Sequence, residues 1–208
     1  MKKQREIAWI IIAIILFEFI IFFPKYNLIT PSLILAPILI ILVFVLSKKI
    51  VAPHFSIKIE HKIWEFERFG WYKTSKLEKP FQIGLILPIL ISILTLGFLK
   101  PLLFLQTEIE NIPEKRLLKK RGLTRKLEIN ESDISSTCAV GFYSLILLAI
   151  IGILIDYREL ARYAIFYGFW NLIPFGNLDG TKLFFGSIVN WIILATIYII
   201  ALVIALII

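Results

Sequence analysis

The chain has 208 residues, of which 59% are hydrophobic and only 18% charged. Its mean hydropathy of +0.85 lies outside the range of soluble globular domains and implies several bilayer spans. A single cysteine, Cys138, excludes an internal disulfide and a Cys/His zinc knuckle, and the net charge of +8 sits in loops beside apolar runs, where anionic headgroups and the positive-inside bias account for it without nucleic acid.

The first apolar run, "IAWIIIAIILFEFIIFF" over 7–23, comes after a basic start. It is longer than a signal-peptide core, and Pro24-Lys25 stands where a small-residue cleavage site would be, so it reads as an uncleaved span. Glu18 within it faces other helices or snorkels. The second span covers 29–46, with Pro31 and Pro37 starting or bending it and Lys48-Lys49 closing it at the interface.

Residues 51–80 carry charges throughout. Phe55, Ile57 and Ile59 alternate with Ser56, Lys58 and Glu60, the period of a half-buried strand. A second extended piece from Trp64 to Phe69, turning at Gly70, completes a small β-hairpin on the membrane surface with an open edge. Segment 82–105 is apolar again, between two basic loops. It enters and returns with a break at Gly97, Lys100 and Pro101, or it crosses once. The 107–133 loop is polar, and its "EKRLLKKRGL" part suits a short interfacial helix. An uncharged span comes next over 138–155, then a helix over 162–175 that breaks at Pro174 to Gly180, and a last span over 188–208. The expected fold is therefore an all-α polytopic membrane protein, a single multi-pass domain over 1–208 in the cell membrane: a transmembrane helix bundle carrying a small surface β-hairpin.

Metal-assisted hydrolysis needs converging His, Cys, Asp or Glu ligands and a base to activate water. His54 and His61 are seven apart, which sets them on opposite faces of a strand, and neither has a second ligand at short helical spacing. Asp179 is the acid that asks for a partner, since a carboxylate at the centre of a membrane helix costs roughly 2.5–3.5 kcal/mol. It lines a polar pocket at the helix break, caps the short helix that begins at Gly180, or does both, since the two roles are compatible. No phosphate loop or nucleophile elbow is visible, and "GFYSL" over 141–145 lacks the glycine required after a nucleophilic serine.

The stretch "NLIPFGNLDGTKLF" over 171–184 resembles the N-x-x-P-x-x-x-L-D-G segment of the site-two intramembrane metalloproteases. In that family the aspartate is the third zinc ligand, and the Asn-Pro region helps to position an extended substrate. By this resemblance Asn171, Pro174, Leu178, Asp179 and Gly180 match position for position. The segment "SKKIVAPHFSIKIEHKIW" over 47–64 is similar to the stretch after the zinc motif in archaeal members, where a helix end leads into a strand beside the active site, and the likeness covers most of residues 29–187.

The chain departs from the family where the chemistry lies. Placing the family's H-E-x-x-H by the same match gives "FVLSK", so Phe44 and Lys48 stand for the two histidines and Val45 for the general-base glutamate. Phenylalanine cannot ligate zinc, valine cannot take a proton from water, and an ammonium repels the metal. No histidine occurs between residues 1 and 53, so the loss does not depend on the alignment. The Gly-Pro element usual at the start of the next core helix is missing, with "STCAVGF" in its place. Lys48 is then a replacement cation for Asp179, with Lys182 as its rival.

The resemblance implies a pseudoprotease without a cofactor. It would bind a membrane protein segment, or an active protease, by edge pairing at Phe55, Ile57 and Ile59. Two alternatives remain: an active protease whose non-standard zinc site draws His54 and His61 toward Asp179, and a small transporter or lipid-binding protein that uses the broken helix.

Overall fold

The structure is a computed structural model that describes residues 2–24, 31–68, 76–111 and 130–207. Among these, seven α-helices and four short strands run in the order α1 (Lys2–Phe22), α2 (Pro31–Val51), β1 (Ile57–Ile63), β2 (Phe66–Arg68), β3 (Lys76–Phe81), α3 (Ile83–Leu94), β4 (Leu105–Asn111), α4 (Glu131–Leu154), α5 (Arg158–Leu172), α6 (Asp179–Gly186) and α7 (Ile188–Ile207). The segments Pro31–Phe55, Glu131–Leu154 and Ile188–Ala205 are long and apolar enough to cross a membrane. The interfacial helix expected at 114–123 and the turn at Gly70 lie outside the described residues.

The centre of the bundle is α4, which packs on α2, α5 and α6, while α5 packs in turn on α7. It starts seven residues before the apolar run from Cys138. Glu131 and Asp133, which read as loop, are acids of its first turn, where they favour the helix dipole, and the Asn130 side chain accepts the Ser132 N–H as N-cap. Helix α2 likewise runs past its expected end at residue 46. Lys48 is therefore not an interfacial cap: it lies inside the helix and is fully buried.

Segment 82–105 runs out along the bundle and comes back. Helix α3 has 12 residues, about 18 Å at 1.5 Å per residue, short of the ~30 Å of a hydrocarbon core. It leaves the level of Trp64, whose carbonyl accepts the Gly84 N–H at 2.9 Å. The chain turns at Leu96 (φ 50°) and Gly97 (φ 79°) beside Phe23 and Pro24, at the far end of α1. Lys100 Nζ donates to the Ile21 carbonyl there at 2.6 Å. The return is extended and ends where Trp64 N donates to the Phe104 carbonyl at 2.7 Å. Residues 101–104 of this irregular stretch are buried, the condition under which non-helical backbone is tolerated inside an apolar bundle.

The expected hairpin of 55–60 with 64–69 does not form. Phe55 belongs to a 3-10 turn, Ala52–Phe55, that ends at Ser56 (φ 57°), and the strand begins at Ile57. Its partner is distant in sequence: β1 pairs antiparallel with β4, with His61 opposite Thr107 and Ile59 opposite Ile109. The short β2 pairs instead with β3. The alternation read over 57–60 does hold, because Ile57, Ile59, His61 and Ile63 face inward while Lys58, Glu60 and Lys62 face out. On the outer face Lys58 reaches Glu110 at 3.2 Å and Lys62 reaches Glu108 at 2.6 Å, both across the strand pair.

Candidate functional site

The site lies where the inner face of the β1–β4 ladder meets the carboxyl end of α2 and the amino end of α6. Helix α5 stops at Leu172 as Pro174 approaches, and the chain turns through Gly176 (φ 58°) before α6 begins. Gly180 makes this break possible: a Cβ there would lie 2.2 Å from the Leu172 carbonyl oxygen. Leu178 is the N-cap, and no side chain caps the helix. The expectation that Asp179 caps its own helix is thus corrected. Asp179 is the first helical residue, and its carboxylate turns away toward α2 and β4.

Lys48 Nζ lies 2.6 Å from Asp179 Oδ2, and both side chains are buried, at 0% and 1% exposure. Thr107 completes the contact. Its hydroxyl accepts from Lys48 Nζ at 2.9 Å and donates to Asp179 Oδ2 at 2.9 Å, while its backbone N–H donates to Asp179 Oδ1 at 3.2 Å. Lys182, the rival cation, stands 3.7 Å from Asp179 Oδ1 and donates to the Thr107 carbonyl. Asp179 therefore has two cations, and the nearer is Lys48. The Lys48 ammonium also lies 3.7 Å from the centroid of the Phe44 ring, well inside cation–π range. A buried ion pair persists only when its remaining donors and acceptors are met, and this one meets them with Thr107 and the ring.

Around the pair, the side chains that the resemblance sets against the zinc motif pack in the core. Phe44 is fully buried and meets Phe142 and Tyr167 edge-on at 5.7 and 5.3 Å between centroids. Val45 is 2% exposed in the same core. Asn171 Nδ2 donates to the Leu102 carbonyl at 2.9 Å and the Tyr167 carbonyl at 2.8 Å, tying the extended return segment to α5. Leu178 packs on Trp64 and Leu103, Pro174 is exposed in the turn, and Cys138 is buried as a free thiol.

The two histidines are not brought together. His54 is exposed in the 3-10 turn, whereas His61 is fully buried. His61 Nδ1 lies 3.1 Å from Glu6 Oε1, and its backbone N–H donates to the same oxygen at 3.0 Å. Glu6 Oε2 accepts from Lys49 at 2.7 Å. Burial and the nearby Lys48 ammonium push the His61 imidazole down to about 4, against the opposing pull of Glu6. Burial opposes ionisation of Glu6, yet the hydrogen bonds from His61 and Lys49 outweigh it and hold the carboxyl at about 2.

Zinc does not fit these residues. The groups at Asp179 are two ammoniums and a hydroxyl, none a zinc donor. The imidazole nearest by strand register already engages Glu6. Among the described residues no group of three or more His, Cys, Asp and Glu is placed to hold a metal.

Sequence reasoning missed Thr107, Glu6 and Lys49. Thr107 carried a signal in "LQTEIEN", where Leu105, Thr107 and Ile109 alternate with Gln106, Glu108 and Glu110.

Both outer edges of the ladder are engaged at the level of the pair. Glu6 accepts from β1 at His61, and Asp179 and Lys182 hold β4 at Thr107. Further along β4 a cavity of about 290 Å³ opens, bounded by Thr107, Ile109, Ile134, Asn177 and Lys182. Comparison with family models, with curated proteins and with solved structures gave no match.

Proposed function

We propose that this chain is a catalytically silent, multi-pass membrane protein of site-two-protease type, and that it holds an extended segment of another membrane protein without cutting it. The observation that carries the reading is the 2.6 Å contact of Lys48 with Asp179. The same carboxylate oxygens cannot serve an ammonium and a zinc ion at once. A lysine at this place supplies the positive charge of the metal and none of its Lewis acidity.

The binding surface under this reading is the outer edge of β4 rather than the 55–60 edge. Side chains and backbone groups repeat every two residues along a strand, so the Ile109 N–H and carbonyl face the same way as those of Thr107, into the cavity. An extended segment adding there would pair with Ile109 and end against Lys182, by strand addition. The client is a membrane protein segment, or the exposed strand of an active protease that this chain would regulate.

A photoreactive residue at position 109, expressed in native membranes, tests the proposal. The expected result is an adduct with a full-length membrane protein, absent when the same residue stands at 204 on the far end of α7. No adduct at 109, or adducts only with cleaved fragments, would sink it.

A further inference from the structure

At the end of the bundle away from the ion pair, α4, α5 and α7 leave a groove between them. It encloses about 640 Å³, within the ~300–1,000 Å³ of ordinary ligand sites. Four alanines make it deep, Ala149 on α4, Ala161 on α5, and Ala201 and Ala205 on α7, while Ile150 and Ile204 form its lips. Its wall on α4 runs from Ile146 to the turn at Asp156, ten residues or about 15 Å. That is half of a ~30 Å hydrocarbon core, the depth of one leaflet.

The charges lie at one end only. Asp156, Arg158 and Arg162 rim the groove beside the α4–α5 turn, the end at which charges close an otherwise apolar groove. Arg158 Nε is 3.0 Å from Asp156 Oδ1, which neutralises one charge. Arg162 Nε donates to the Ala205 carbonyl at 3.1 Å. Among the described residues no other hydrogen bond engages the guanidinium, which leaves its two terminal nitrogens for another acceptor. A guanidinium fork suits a phosphate oxygen pair.

We infer that this groove binds an anionic phospholipid, one acyl chain lying over the alanines and the phosphate held at Arg162 and Arg158. The inference does not rest on the proposed function, since the groove lies at the opposite end of the bundle from Asp179. It commits to a lipid over a second copy of the chain because the depth matches one leaflet and the cationic rim matches a headgroup.

Native mass spectrometry of the detergent-purified full chain, offered phosphatidylglycerol or phosphatidylcholine with identical acyl chains, tests it. The wild type is expected to retain the anionic lipid about tenfold better. Arg158→Gln with Arg162→Gln should abolish that preference, and Ala201→Phe should lower retention of both lipids. Equal retention by the wild type would overturn the inference, as would a preference untouched by the arginine pair. A lipid-free dimer would overturn it too, by assigning the groove to a second copy. The wild-type comparison decides even where a variant fails to fold.

Discussion

Lys48 Nζ and Asp179 Oδ2 lie 2.6 Å apart across 131 residues of sequence, both fully buried. Each makes the other tolerable, and the removal of one should be felt more than the removal of both. Lys48→Met leaves a buried carboxylate facing only Lys182 and Thr107, and is expected to cost about 3–5 kcal/mol. Combined with Asp179→Asn, most of that loss should return, because no uncompensated charge remains. Unfolding midpoints in detergent for the four members of the cycle check this; equal destabilisation by the single and double variants would contradict it.

Gly180→Ala tests the broken helix. The added Cβ meets backbone oxygen, at 2.2 Å from Leu172 and 2.7 Å from Asn171, and backbone cannot move aside as a side-chain tip does. Overpacking of this kind costs about 1–3 kcal/mol or more. The variant should lose protease resistance at the 173–178 turn, as limited digestion would read.

Acid should destabilise the chain first through the buried His61 imidazole and then through Glu6. The unfolded imidazole takes a proton near its ordinary 6.5, whereas the folded one resists until about 4. The unfolded state therefore binds more protons in that window, so stability is full above 6.5 and falls as pH drops toward 4. Glu6 adds a further loss below its ordinary 4.5, continuing toward about 2. Thermal midpoints between pH 7 and 4 should fall for the wild type and fall less for His61→Gln.

Much of this arrangement is legible in the sequence. The break after Leu172 comes from Pro174 and Gly176, and the inward row of β1 from its alternation. The expectation of a cation at Asp179 comes from a lysine standing where the resemblance puts a ligand. The β1–β4 pairing is not legible, because a local hairpin competes with a partner more than 40 residues away and nothing local to β1 encodes the distant choice. For Thr107 the alternation over 105–110 marks a strand, but not that the strand pairs with β1 and meets Asp179, since it runs from the end of an apolar segment into a polar one. Glu6 reads as the edge of a first span, whereas its carboxylate reaches His61 and Lys49, contacts that only the folded bundle creates.

The resemblance itself makes a constructive prediction. Phe44→His, Val45→Glu and Lys48→His together would place an H-E-x-x-H motif on α2 opposite Asp179. The folded triple variant is expected to take up one zinc ion per chain. A folded triple variant with no affinity for zinc would argue that α2 and α6 do not share the family's geometry.

On the proposed reading Asp179 is held by Lys48 and not by a metal. Elemental analysis of the purified wild-type protein after zinc exposure and desalting tests it most directly, with Asp179→Ala measured beside it. No stoichiometric zinc is expected in the wild type, and no difference between the two proteins. One zinc ion per chain in the wild type, lost in Asp179→Ala, would contradict it.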